Sequence, residues 1–332
     1  MDELGKIPLC ALPTPLLAAP RLGEAMGIPN LWLKRDDLLG LALGGNKLRK
    51  MEYIAAAAMT QGAGAMVTSG SWESNLVSVL SVTARILGMK SGVVFMVPSG
   101  PRERNFNSLL EQTLGTEVRV VEYVEGDLAS RVSARHRAEI ELADLREELD
   151  QQGLTSYTVP EGGACLEGSY SFVEAFDELH GQMLAQGHDR YDVYLPVGSG
   201  STYAGLWCGA RRSGADVRIR GIGIALPLRR CLLETRKAAA RVCEILQIDV
   251  PEKSDLDITD EFLGKAYAAP SEESREGVRL ALETSGLLMD HTYSGKALGG
   301  MKKLLGREAP DRPVVFWHTG GVAGAVDNLF RD

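Results

Sequence analysis

No stretch of this 332-residue chain strings together the roughly 18 apolar residues that a membrane-crossing helix needs. The Met-Asp-Glu start lacks the basic segment and apolar run of a secretory leader, so none is expected. Paired cysteine motifs are missing as well. Cys10, Cys165, Cys208, Cys231 and Cys243 are scattered and odd in number, which excludes a disulfide framework or a Cys-x-x-Cys zinc site. They read as buried thiols of a reducing, cytoplasmic compartment. The five histidines show no His-Glu-x-x-His spacing, and no metal is expected. Positive charge is in the minority, 36 Lys and Arg against 44 Asp and Glu, a net −8. That balance argues against a surface for nucleic-acid phosphates. Internal repeats, low-complexity tracts and an evident linker are also lacking.

What is present is alternation. Strands are expected at Ala65–Thr68, Val93–Val97, Val118–Val121, Tyr157–Val159, Val193–Val197, Ile219–Ala225 and Val314–Trp317. Several are unbroken apolar runs, as in parallel strands covered on both faces. Helices are expected between them, at 72–88, 101–114, 128–152, 166–187, 201–213, 228–247, 271–285 and 294–305. Within 128–152, Leu128, Val132, Ile140, Leu145 and Leu149 suggest one apolar stripe on a solvated helix. Ser271 before Glu272 and Glu273 marks a helix start. The fold class is α/β, and at this length one large or two closely packed domains are expected. Ligands of such folds gather beyond the carboxyl ends of the strands.

Glycine-rich turns stand at those ends. The segment Leu31 to Leu38 leads into Gly44-Gly45-Asn46, and Lys47 opens a helical stretch to Gln61. Two glycines allow close backbone approach, and a helix start favours an anion. Thr68 to Asn75, Pro160-Glu161-Gly162-Gly163 and His318-Thr319-Gly320-Gly321 follow other strands. Gly198-Ser199-Gly200-Ser201-Thr202 is the most informative of these turns: small residues let N–H groups converge, and hydroxyls add donors, a cradle for one phosphate. No Gly-Lys-Ser/Thr follows, so it is not a Walker loop, and Thr202 with Tyr203 interrupt a dinucleotide pattern. A single-phosphate cradle with a separate reactive lysine points to pyridoxal 5′-phosphate, although such a turn alone is often only a tight connection.

In their order and spacing these motifs resemble the D-cysteine desulfhydrase and 1-aminocyclopropane-1-carboxylate (ACC) deaminase family of fold type II pyridoxal-phosphate enzymes. The resemblance runs from Pro13-Thr14-Pro15 and Lys34-Arg35-Asp36-Asp37 through Gly44 to Lys50, Ser74-Asn75, Gly198-Ser199-Gly200 and Tyr293-Ser294-Gly295-Lys296-Ala297 to His318-Thr319-Gly320-Gly321. It implies two interleaved domains with mainly parallel, helix-covered sheets, residues 1–50 and 161–332 forming a large cofactor-binding domain and 51–160 a small one. It also implies that Lys47 is the Schiff-base lysine and proton shuttle. Lys50 and Gly198, Ser199, Gly200, Ser201 and Thr202 would hold the phosphate, and Asn75 the cofactor 3′-oxygen. Ser74 would face the substrate carboxylate, with Tyr267 and Tyr293 as the active-site tyrosines. A homodimer acting on a small amino acid is the implied assembly and partner.

Two positions bear on the branch. The deaminases carry Glu after the second tyrosine, where this chain has Ser294, and tend to Leu where it has Thr319. Neutral hydroxyls at the ring nitrogen resemble the desulfhydrases and favour α,β-elimination to a 2-oxo acid and ammonia. ACC deaminase, a β- or γ-replacement synthase and a racemase remain alternatives. Glu73-Ser74-Asn75-Leu76 departs from the family's Gln-Ser-Asn-His, and Glu161 replaces a small or apolar residue. The lost histidine and two added acids are expected to alter which side chain is accepted.

Overall fold

The computed structural model describes residues 4–265 and 267–329. The chain opens with β1 (Leu16–Ala18), α1 (Pro20–Met26) and β2 (Leu31–Arg35), then enters α2 (Lys47–Thr60). An alternating run follows: β3 (Ala65–Ser71), α3 (Asn75–Ile86), β4 (Lys90–Pro98), α4 (Phe106–Leu114), β5 (Glu117–Tyr123), α5 (Leu128–Gln151) and β6 (Ser156–Thr158). Next come α6 (Leu166–Ala185), β7 (Arg190–Val197), α7 (Ser201–Ser213), β8 (Asp216–Gly223), α8 (Leu228–Leu246) and β9 (Asp257–Thr259). The last elements are α9 (Glu272–Ser285), α10 (Ser294–Arg307), β10 (Val314–His318) and α11 (Val322–Leu329).

Two sheets result. One has the order β1-β2-β10-β7-β8-β9 and is parallel except for the edge strand β1; the other, β5-β4-β3-β6, is wholly parallel. Continuous apolar strands follow from cover on both faces. In β10, Val314 and Phe316 enter a core beneath α1, α9 and α10, while Val315 and Trp317 enter another under α6 and α7. The smaller sheet divides likewise, Met66 facing α2 and α3, and Ala65 and Val67 facing α5. Because α2 runs unbroken from Lys47 to Thr60, the chain passes between the sheets on a rigid helix.

The expected strands and helices are present with shifted ends. Asn105 caps α4 by accepting from the Ser108 N–H, so that helix starts at Phe106 and not at residue 101. Ser271 caps α9 as expected, accepting from the Ser274 N–H. The stripe on α5 is corrected: Ala134, Ala138, Leu145 and Leu149 are buried, whereas Leu128, Val132 and Ile140 are exposed. At about 100° per residue Val132 lies nearly opposite Ala134, and the two alanines let the helix sit close to the sheet. The short β1, β9, α1 and α11 carry too few residues for periodicity to reveal them.

A buried polar hub fixes α2 against the larger sheet. Asp36, fully buried, accepts from Arg49 Nε at 3.0 Å, from Trp317 Nε1 at 2.9 Å and from the Thr14 hydroxyl at 2.9 Å. Glu178 on α6 takes Arg49 and the buried Lys34. Burial alone would raise the Glu178 carboxyl, but Arg49 and Lys34 outweigh it and bring it down to about 2. Removing one partner strands the others. Asp36→Ala is therefore expected to cost about 3–5 kcal/mol in denaturant unfolding. Since the folded carboxyl of Glu178 titrates below its unfolded value, its contribution is complete above about pH 4.5 and fades toward pH 2. Glu178→Gln should flatten that acid limb, and an unchanged limb would remove Glu178 from the account.

Candidate active site

Gly44-Gly45-Asn46 seats the start of α2 on the loop after β10. Gly45 has φ +56°, and a Cβ there would lie 2.2 Å from the Thr319 carbonyl oxygen. The Asn46 N–H donates to that same carbonyl at 2.9 Å, and the Asn46 side chain donates to the Thr202 hydroxyl at 3.1 Å. Only glycine permits this approach, and it fixes where Lys47 points.

Lys47 and Lys50, three apart, share one face of α2. Lys50 Nζ donates to the Gly162 carbonyl at 3.0 Å and to the Ser201 hydroxyl; Lys47 Nζ lies 3.5 Å from the same carbonyl. Lys50 is fully buried. Among the described residues no carboxylate forms an ion pair with either amine. Burial lowers Lys47 to about 8, its hydrogen bond with Lys50 opposing the shift. Burial and then the Lys47 charge hold Lys50 well below an ordinary lysine.

Directly opposite is the amino end of α7. Gly200 has φ +83°, and a Cβ there would lie 2.3 Å from Thr235 Oγ1, so the turn admits glycine alone. Ser201 is fully buried, Thr202 nearly so, and the Ser199 and Ser201 hydroxyls stand 3.3 Å apart. At Gly198 a Cβ would make only ordinary contacts, the nearest with Ile224 at 3.6 Å. Two amines, three hydroxyls and a helix start converge, and among the described residues no carboxylate is paired with either amine. Such a set fits a phosphate, with the half-buried Lys47 beside it as an imine-forming amine.

On the other side, Tyr267 and Tyr293 are hydrogen-bonded through their hydroxyls, with the rings at 82°. Ser71, whose side chain lies close enough to Tyr267 to favour its phenolate, ends β3 and precedes the turn carrying Ser74 and Asn75. The Tyr293 ring comes within 3.9 Å of the Gly198 Cβ position, so the pair adjoins the α7 cradle. Burial pushes Tyr267 up to about 12, against the hydrogen bond with Tyr293 and the influence of Ser71. Burial and the Tyr267 neighbour drive Tyr293 well above 10. Both phenols thus stay protonated at neutral pH, as donors and not as phenolate nucleophiles. Asn75 begins α3, and Ser74, 9% exposed, stands at its N-cap.

The fully buried Ser294 donates its hydroxyl proton to the Gly320 carbonyl at 2.8 Å, and Thr319 presents its own carbonyl to Asn46. Leu76 lies in the apolar core with Leu48, Ile54 and Val79, and its side chain comes within 3.6 Å of the Gly163 Cβ position beside Lys50. Its loss of a polar edge is accommodated there by packing. Asp290 was not anticipated. It accepts from the Tyr293 N–H at 3.0 Å and the Ser294 N–H at 2.9 Å, anchoring both residues. Burial raises its carboxyl to about 6, against those N–H bonds. An acid just ahead of an expected helix start was the available signal.

A family model described as pyridoxal-phosphate dependent enzyme matches residues 7–320. The chain belongs to that family. It is 30% identical over 327 residues to a D-cysteine desulfhydrase of Serratia proteamaculans, covering 97% of this chain and 95% of the relative. A D-cysteine desulfhydrase of Salmonella choleraesuis is 28% identical with the same coverage. Among solved structures, an ACC deaminase homologue superposes with a TM-score of 0.85 at 28% identity, covering 99% of this chain and 96% of that one. An L-serine ammonia-lyase from Rhizomucor miehei, at 18% identity and a TM-score of 0.66 over 96% of each chain, shares the fold. Pyridoxal phosphate is therefore the cofactor of this fold type II enzyme.

Lys47, held near 8, should make cofactor uptake pH-dependent. When apoprotein is mixed with pyridoxal phosphate, the rate is expected to rise about tenfold from pH 7 to 9 and then level off, as the free amine becomes the dominant form. A rate still climbing above pH 10 would indicate an ordinary lysine.

Proposed function

We propose that this enzyme catalyses α,β-elimination of a small β-substituted amino acid, in the manner of a D-cysteine desulfhydrase, giving a 2-oxo acid and ammonia. The observation that carries this reading is the protonated, hydrogen-bonded Tyr267–Tyr293 pair beside the cradle. Elimination needs a donor where the leaving group departs, and these phenols are donors. When bound, pyridoxal phosphate accepts the electron density released as the Cα–H bond breaks.

Each residue then has a defined task. Lys50 and Gly198, Ser199, Gly200, Ser201 and Thr202 would hold the phosphate, and Asn75 would bond the ring 3′-oxygen. Lys47 would hold the cofactor, and its free amine, with a pKa near 8, would suit taking the α-proton at neutral pH. Ser74 orients the substrate carboxylate at the amino end of α3. Tyr293, supported by Tyr267, delivers a proton to the departing β-group.

Ser294 and Thr319 are neutral partners for the ring nitrogen, which supports elimination over ACC ring opening. Asp290 is the nearest acid to Ser294 in sequence, and its oxygens are engaged by backbone N–H groups. Replacement or racemisation would use the same groups and is separated by product analysis. No helix among the described residues is long and apolar enough to cross a membrane. A homodimer in the cytoplasm completes this reading, on the family resemblance.

D- and L-β-substituted alanines, assayed together for keto acid, ammonia and α-deuterium exchange, test it. Keto acid and ammonia in equal amounts are expected from one enantiomeric series, and α-exchange without keto acid would overturn elimination. Lys47→Ala should abolish turnover while the fold persists. Tyr293→Phe should slow cysteine turnover by about 10²–10⁴-fold, the range for a lost general acid. β-Chloroalanine should suffer far less, because chloride leaves without a proton. Equal losses on the two substrates would deny Tyr293 the acid role.

A further inference from the structure

Cys208 and Cys243 face each other across the contact of α7 and α8, their sulfurs 3.7 Å apart. Both are buried, packed with Ala204, Ala239 and Val242. Cys208 Sγ lies 3.9 Å from the Ala239 carbonyl, and Cys243 Sγ lies 3.6 Å from the Asp249 carbonyl. Asp249 also lines a solvent-open cavity of about 480 Å³, together with Trp207, the chain neighbour of Cys208. A small solute in that cavity meets the wall directly behind which the thiols sit. The other end of the same helix contact carries the phosphate cradle. Gly200, at the start of α7, turns tightly against Thr235 of α8. Thr235, Ala239 and Cys243 are spaced by four and follow one face of α8, and Ala204 and Cys208 follow Gly200 along α7 in the same way. One buried row of contacts therefore runs from the cradle to the thiols.

We propose that Cys208 and Cys243 are an oxidative modification site, which hydrogen peroxide closes into a disulfide that clamps α8 on α7 and secures the cradle. The site goes beyond the elimination reading and does not depend on it. Sulfurs already at contact distance can bond without the helices parting. Their mutual hydrogen bond holds the Cys243 thiol below the usual cysteine range, against burial, while the same bond and burial push Cys208 up. Cys243 is therefore the attacking thiolate. It attacks one peroxide oxygen, the O–O bond breaks, and a sulfenic acid forms as hydroxide leaves. The Cys208 sulfur then displaces the sulfenic oxygen, the S–S bond forms, and that oxygen departs as water. In total the two thiols give up two electrons and two protons, and the peroxide becomes two waters.

The test treats native holoenzyme with hydrogen peroxide, alkylates the remaining thiols after unfolding, and maps the unreduced peptides by mass spectrometry. A peptide joining Cys208 to Cys243 is expected. Cys231, equally buried on α8 but without a thiol partner among the described residues, should be recovered alkylated. Release of pyridoxal phosphate into a scavenger should slow about tenfold, the scale of a local opening restrained by part of a disulfide's stabilisation. Dithiothreitol should restore the original rate, and Cys243→Ala should show neither cross-link nor slowing. If that variant fails to fold, reversal by dithiothreitol in the wild type supplies the same comparison. No cross-link in the native protein, or one formed only in denaturant, overturns the site. A cross-link that leaves cofactor release unchanged overturns the clamp. Neither result bears on elimination, which the keto-acid assay tests separately.

Discussion

Lys47 and Lys50, which share one face of α2 and form no ion pair with a carboxylate among the described residues, are the constraint around which this molecule is organised. Charged amines in an apolar surround are costly unless an opposite charge accompanies them. At the buried hub the chain meets that cost with its own residues: Lys34 and Arg49 are matched by Asp36 and Glu178. At Lys47 and Lys50 it provides only a carbonyl, hydroxyls and a helix start. The difference separates a structural use of positive charge from a site prepared for an anionic cofactor. Arg49 on the same helix belongs to the first group, so the compensated hub holds the uncompensated lysines in place.

The glycines at Gly45 and Gly200 serve the same end. Each brings backbone within a distance that any side chain would block, the first against Thr319 and the second against Thr235. The loop after β10 is thereby drawn onto the start of α2, and the loop after β7 against α8. Asp290 holds Tyr293 and Ser294 from beneath, and Ser294 in turn grips the Gly320 carbonyl. The β6–α6 turn adds the Gly162 carbonyl, again through positive-φ glycines. Turns from distant parts of the chain thus meet at the carboxyl ends of the strands, as the sheet topology requires.

Much of this was legible in the sequence because it was local. Unbroken apolar runs marked the parallel strands, and the glycine turns marked the site, since both signals reside in consecutive residues. The failures were of two kinds. On α5, large apolar residues were taken for the buried stripe, whereas the sheet receives Ala134 and Ala138. The hydroxyl bond between Tyr267 and Tyr293 and the bond from Ser294 to the Gly320 carbonyl join segments whose proximity only the fold creates.

The most direct measurement reduces the pyridoxal-phosphate-loaded enzyme with borohydride and locates the attached pyridoxyl group by peptide mass spectrometry. The account predicts modification of Lys47, with Lys50 unlabelled beside the phosphate and Lys34 protected by its acids. Label on Lys50, or on a lysine outside α2, would contradict it.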